Sequence, residues 1–261
     1  MTSSKLFFSQ VLRKEHDELV AMENWSFNYC PSKKNVAVIV EPRKHDILAA
    51  VCANVMWHLG GSWNLHIFTG SGCKPWVQDT VLRPLRSTAK VTELDVDNLS
   101  VSAYSALLMN RAFWEAIAEP HVLIFQTDCI MLRGGMANYV DYDYAGANYF
   151  NHRDLAPKIG GIQGGFSMRS RACMLECIDR VSEESVNQYR QSLGYRALST
   201  PMAEDVYYTH ACEILNKRVI PVAARKYFSI EAEWYHAPLA FHGWVHDYFD
   251  QEYNKKLVGY M

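Results

Sequence analysis

Two short apolar runs restrict this chain more than anything else in it. Asn35-Val-Ala-Val-Ile-Val-Glu41 and His121-Val-Leu-Ile-Phe-Gln126 are almost wholly aliphatic or aromatic between polar ends, with no alternation of apolar and polar positions. A strand wetted on one face alternates, whereas one covered on both faces does not, so both runs predict central strands of a parallel sheet. After the first run Pro42 and Arg43 interrupt the strand, and Ile47, Leu48, Val51, Val55 and Leu59 then recur at helical spacing until Gly60 and Gly61. Strand, turn and helix follow one another, and the order repeats. Trp63 to Thr69 alternates as a second strand, Gly70 and Gly72 make a turn, residues 77–85 suit a short helix and residues 90–96 a third strand. Tyr104, Leu107, Trp114 and Ile117 share one face of a predicted helix over 100–118, which Glu119-Pro120 ends before the second apolar run begins.

This alternation predicts an α/β fold of three layers, Rossmann-like, with a mostly parallel central sheet flanked by helices and right-handed crossovers. Such sheets bind ligands beyond the carboxyl ends of their strands, which directs attention to Glu41–His45 and Gln126–Cys129. Past residue 130 the segments become shorter and richer in Gly and Tyr, with helical spacing returning over 170–181 and 202–215. Neither an internal repeat nor a Pro/Ser linker breaks the chain. The expected organisation is a helical extension over 1–34, one domain over 35–247 whose second half shapes the acceptor side, and a tail over 248–261.

Charge removes some functions from consideration. Lys and Arg number 26 against 28 Asp and Glu, spread along the chain, so no long-range field gathers polyanions and nucleic acid is not expected as a partner. Lys5, Arg13, Lys14, Glu15 and Asp17 interrupt the apolar positions of residues 1–20 and exclude a signal peptide there. With no apolar stretch of membrane-spanning length, the expected location is cytoplasmic. The seven cysteines, odd in number, lack paired CxxC spacing. Cys173 and Cys177 lie four apart on a predicted helix, where a metal pair is conceivable, but small core residues in a reducing compartment are the preferred reading.

The sharpest chemical feature is Gln126-Thr127-Asp128-Cys129 at the end of an apolar strand. A carboxylate there costs desolvation energy unless a cation or hydrogen bonds meet it, so Asp128 is read either as a ligand of Mg²⁺ or Mn²⁺ or as a cap of the next turn. Glu41, Pro42 and Arg43 end the first strand at the same crevice; Arg43 could approach a diphosphate or remain a solvated loop charge, and His45 suits a cap better than a ligand. Residues 159–169 hold four glycines, suited to a close approach of backbone to ligand or to a plain turn. Glu204 and Asp205 open a helical stretch, where the helix dipole favours carboxylates; one of them could also serve as general base. His242 and His246 lie four apart, but Gly243 argues against a helical zinc pair, leaving one His as a metal ligand or a core residue.

In order, Val36–Arg43 (VAVIVEPR), Leu123–Cys129 (LIFQTDC), Tyr144–Ala147 (YAGA), Gly164–Ser170 (GGFSMRS), Glu204–Val206 (EDV) and Phe241–Trp244 (FHGW) resemble the landmarks of a poorly characterised family assigned as glycosyltransferases with the GT-A fold. The resemblance covers residues 35–247. It implies that Glu41, Pro42, Arg43, Gln126, Thr127 and Asp128 lie near the nucleotide, that Asp128 and His242 hold Mn²⁺ or Mg²⁺, and that Gly164, Gly165 and Ser167 form a Gly-Gly turn beside donor sugar and acceptor. It also implies Asp205 as catalytic base with Glu204 beside it. GT-A proteins usually carry Asp-x-Asp, and here Gln126 stands at the first acidic position.

The activity implied is transfer of a hexosyl or pentosyl group from a nucleoside-diphosphate sugar, UDP-sugar favoured, to a hydroxyl of a glycan or other acceptor, metal-assisted and inverting. Two other readings stay open: a catalytically inactive carbohydrate or nucleotide-sugar-binding protein, and a nucleotidyltransferase, which usually needs more clustered carboxylates. Tyr144, Tyr149, Phe150, Trp234 and Tyr235 are compatible with a glycan acceptor and equally with core packing.

Overall fold

The computed structural model describes residues 3–148, 161–231 and 235–243, with side chains from Leu6 onward. Tyr149, Phe150, Trp234, Trp244, His246 and the tail over 248–261 lie outside the described residues. The first apolar run forms β1 (Asn35–Val40) and the second β4 (His121–Phe125), and every residue of either strand after the first is buried. Between them come α2 (Leu48–Leu59), β2 (Trp63–Thr69), α3 (Lys74–Val77), β3 (Lys90–Glu93), α4 (Val101–Leu108) and α5 (Arg111–Glu115). Preceding them all, α1 (Ser3–Ala21) packs on α2 and buries Phe8, Leu12 and Leu19 in the core.

Later in the chain come β5 (Cys129–Met131), β6 (Tyr144–Asn148), β7 (Ile162–Ser170), α6 (Arg171–Arg180), α7 (Glu183–Ser192), α8 (Glu204–Ile214), α9 (Val222–Phe228), β8 (Ser229–Ile230) and β9 (Ala240–His242). The main sheet has the order β3-β2-β1-β4-β7-β6. β3, β2, β1 and β4 are parallel, and β7 runs against both of its neighbours, so β6 again points along β4. This is the expected mixed α/β architecture, a mostly parallel sheet flanked by helices. A second, three-stranded sheet pairs β5 with β9 and β9 with β8.

Several local expectations need correction. The helix expected over 100–118 is two, because the Ser100 side chain caps α4 at Ala103 N–H and Asn110 caps α5 at Ala112 N–H. A side chain that offers the backbone a new N-cap restarts the helix there. Trp114 and Ile117 still reach the core, and the Trp114 indole donates to the Leu108 carbonyl at 2.7 Å. The helix expected over 77–85 begins earlier, at Lys74, and its second half is a π-helical turn over Gln78–Leu82. Gly164 and Gly165 sit inside β7 rather than in a free turn: between Gly146 and Asn148 of β6 the chain takes two steps, against five between Ser167 and Ile162 of β7. The glycine pair therefore occupies a bulge, which aims backbone out of the ladder.

Candidate functional site

At the carboxyl ends of β1 and β4 a cleft of about 470 Å³ opens, bounded by Glu41, Pro42 and Arg43 on one strand tip and Gln126, Thr127 and Asp128 on the other. His45 and the segment Asn98–Val101 close its rim, and Tyr104 of α4 forms part of the wall. Adjacent parallel strands pair Asn35 with His121 through Ile39 with Phe125, so the two tips are brought together by register. Both carboxyl ends open on the same crevice because β1 and β4 are neighbours and run parallel.

The charges at the first tip are largely engaged with one another. Glu41 is buried, and its carboxylate accepts from Arg43 Nε and Nη2 at 2.8 Å each and from the Arg43 backbone N–H at 3.0 Å. Arg43, half-exposed, is thus folded back on Glu41 rather than extended into the cleft. His45 Nδ1 accepts from the Ile47 N–H at 3.3 Å, a bond within the turn before α2 and not a cap of the helix itself.

The second tip is built by the small sheet. Cys129 of β5 pairs with His242 of β9, and the Gly243 N–H donates to the Asp128 carbonyl. This pairing sets His242 Nε2 at 3.4 Å from Asp128 Oδ1 and 3.2 Å from Gln126 Oε1. Behind the ring, Glu231 Oε2 lies 3.5 Å from His242 Nδ1, and both atoms are buried without a hydrogen bond. Burial depresses the basicity of His242, but Asp128 and then Glu231 outweigh it, and its pKa is raised well above the ordinary histidine value. Cys129 Sγ is turned inward, donating to the Gly165 carbonyl at 3.3 Å.

These donors suit a hard divalent cation. Asp128 and His242 supply one carboxylate and one imidazole nitrogen with the Gln126 amide oxygen beside them, and Glu231 stands where a carboxylate commonly orients a ligating histidine. Glu231 was not anticipated from the sequence: it follows a two-residue strand and carries no motif. Glu231→Gln is expected to weaken Mn²⁺ binding by roughly 10-fold to 100-fold while leaving the fold intact, because a carboxylate behind the ring fixes the histidine tautomer. Isothermal titration of Mn²⁺ into both proteins measures this; equal affinities would remove Glu231 from the site.

The glycine pair has a packing explanation. A Cβ on Gly165 would stand 2.1 Å from His242 Nε2, and one on Gly164 would stand 2.3 Å from Glu204 Oε1 and 3.0 Å from Asp205 Cβ. The backbone is thus approached closely by this chain's own side chains, and the His242 cluster and the Glu204-Asp205 pair meet at successive residues of one bulge. Glu204 is bound in a buried ion pair with Arg169, Nη1 to Oε2 at 2.7 Å and Nη2 to Oε1 at 3.1 Å. Ser167 is wholly buried; its hydroxyl accepts from Arg169 Nε and donates to the Gly164 carbonyl. Among the described residues, neither the glycines, Ser167, Glu204, Asp205 nor His242 lines the cleft. Asp205 stays partly exposed, and its pKa is pushed up to about 7 by burial and then by the Glu204 charge, against hydrogen bonds from the Val206 and Gly164 backbone and the pull of Arg169.

Of the aromatics considered for an acceptor, Tyr144 is wholly buried beneath Arg169, which lies over its ring at 5.1 Å. Tyr235 packs edge-on to the exposed Tyr227 ring at 4.7 Å. No described helix is long and apolar enough to cross a membrane.

Known proteins resemble this chain in sequence or in fold. One family, described as "Protein of unknown function (DUF5672)", matches residues 88–242. No curated protein matches the chain in sequence. Among solved structures, mouse xyloside xylosyltransferase 1 in its apo form superposes with a TM-score of 0.53 at 9% identity, covering 80% of this chain and 97% of that one. The glycosyltransferase GlyE of Streptococcus pneumoniae TIGR4 aligns with a TM-score of 0.49 at 9% identity, covering 83% of this chain. Only 56% of the streptococcal chain is spanned by the alignment. At such identity the xylosyltransferase likeness shows a shared fold.

Proposed function

The chain belongs to this family of unknown function, and from its own geometry we propose that it is a glycosyltransferase using a nucleoside-diphosphate sugar, UDP-sugar favoured. The observation that carries the proposal is the convergence of the β1 and β4 tips on one cleft lined by Asp128, whose Oδ1 lies 3.4 Å from His242 Nε2. Asp128 and His242 would hold Mn²⁺ or Mg²⁺; such an ion, when bound, neutralises the diphosphate and stabilises leaving-group charge. Pro42 and the Asn98–Val101 segment offer backbone and side-chain contacts to a base and ribose, while Tyr104 and Gln126 border the sugar end.

Glu204 is committed to Arg169, which leaves Asp205 as the proposed base for the acceptor hydroxyl in an inverting transfer. A base with a pKa of about 7 suits proton abstraction at neutral pH. The same shift has a consequence for stability. Because the folded-state value lies above the ordinary 3.8, Asp205 favours the native state at low pH, and that contribution is lost as pH rises from 3.8 to about 7. Asp205→Asn is therefore expected to melt higher than the parent at about pH 8 and close to it at about pH 4, while losing transfer activity. Thermal melts and a donor-consumption assay across that range test both; a mutant that retains activity would remove Asp205 as base.

A second reading rests on Gln126, a neutral amide where a first acid commonly stands: binding of sugar nucleotide without turnover. Thermal shifts with UDP, GDP and their sugars, with Mn²⁺ or with EDTA, test the main proposal. Stabilisation by one nucleotide only when metal is present, followed by donor consumption with acceptor, supports transfer. Binding without consumption favours the second reading, and no shift with any nucleotide overturns both.

A further inference from the structure

Three thiols that play no part in the cleft meet where α6 packs on α8. Cys173 and Cys177, four apart on α6, meet Cys212 of α8 with Sγ separations of 3.6 Å from Cys173 and 3.9 Å from Cys177, and all three sulfurs lie within 4.8 Å of one another. Each of the three residues is buried. With metal–sulfur bonds of about 2.3 Å, three sulfurs around a trigonal ion stand about 4 Å apart, so the cluster is already close to coordinating dimensions. The sequence alone shows the α6 pair; the third sulfur comes from α6 packing on α8.

We propose that Cys173, Cys177 and Cys212 form a buried three-sulfur site for a soft monovalent cation, Cu(I). The ligand set selects the ion. Thiolates prefer Cu(I) and zinc among common biological metals, and zinc in closed sites takes four ligands. Among the described residues no fourth His, Cys, Asp or Glu joins the three sulfurs. A trigonal all-sulfur enclosure therefore fits Cu(I) and leaves zinc one ligand short. Positive charge is at hand: Cys173 lies in the first turn of α6, its N–H donating to the Ser170 cap, and Lys217 follows α8, its Nζ donating to Glu176 of α6. Binding forms Cu–S bonds, the thiol protons leave to solvent, and no oxidant or reductant is consumed. Bridging α6 to α8 clips two helices of the core together, and a ligand held only by the native state raises its melting temperature.

The full chain, reduced and kept anaerobic, is titrated against the Cu(I) complex of a chromogenic chelator. Withdrawal of one Cu(I) per chain, a sulfur-to-copper charge-transfer band and a raised melting temperature are expected. Cys212→Ala and Cys177→Ala should each lower Cu(I) affinity at least tenfold, and Cys52→Ala, remote from the cluster, should not. Mass spectrometry of alkylated wild type gives a readout that needs no variant: Cu(I) should protect Cys173, Cys177 and Cys212 together during unfolding. Absence of binding, equal binding by Cys212→Ala, stronger retention of zinc than of Cu(I), or protection confined to other cysteines would overturn the assignment.

Discussion

Asp128→Ala is expected to give a folded protein whose donor turnover is lower by on the order of 10³-fold, the scale on which removal of one preorganised group facing developing charge acts. The reasoning begins at the end of β4, where the chain leaves the core and Asp128 is the only carboxylate of the Gln126–Cys129 tip. Its Oδ1 faces His242 Nε2 at 3.4 Å, so the substitution removes a proposed ligand and the charge that raises His242. Asp128 is neither a strand residue nor part of the apolar core, so folding should survive, which far-ultraviolet circular dichroism can check. A folded Asp128→Ala protein with undiminished turnover would remove the tip of β4 from the reaction. Retained nucleotide binding that no longer depends on Mn²⁺ would separate loss of the ion from loss of the cleft.

The largest expected effect on stability comes from Arg169. Its guanidinium is wholly buried, grips Glu204 through both nitrogens, donates to Ser167 Oγ and the Gly164 carbonyl, and lies over the rings of Tyr144 and Tyr208. Arg169→Ala would leave the Glu204 carboxylate buried without a partner and open a cavity beneath two tyrosines. Breaking a buried ion pair on one side costs about 3–5 kcal/mol, a large share of the roughly 5–15 kcal/mol by which an ordinary domain is stable. Removing both charges with apolar groups of similar length is often close to neutral, so Arg169→Met with Glu204→Met should recover most of the loss. Urea unfolding of the single and double variants measures the difference. A single variant as stable as the parent would show that the pair contributes nothing to holding the glycine bulge against α8.

Such a contrast explains what could be read from residues in order. β1, β4 and α2 were legible because burial on both faces leaves a strand as an unbroken apolar run and a packed helix keeps its apolar period; β2 was found from its alternation although all seven of its residues are buried, its polar Asn64 and His66 meeting Glu119 and Thr92 inside. Asp128 was legible too, since a carboxylate ending an apolar strand is anomalous without a partner. The break at Asn110 was not, because cap residues also occur within ordinary helices, and only the N–H they reach distinguishes the two uses. Nor was the role of Gly164 and Gly165, whose missing side chains are required by His242 and Glu204, residues distant in the chain.

Sequence by itself determined that the chain would fold as an α/β sheet and that two strand tips would share a crevice, because these follow from local periodicity and the handedness of short crossovers. Tertiary structure alone decided the partners. It turned Arg43 back onto Glu41, withdrew Glu204 and Ser167 into the Arg169 network, and brought Glu231 behind His242 and Cys212 against Cys173 and Cys177. The reason is physical: hydrogen bonds and ion pairs act within a few ångströms, and the residues that meet at such distances here are up to 116 positions apart, joined only when β9 pairs with β5 and α8 packs on β7.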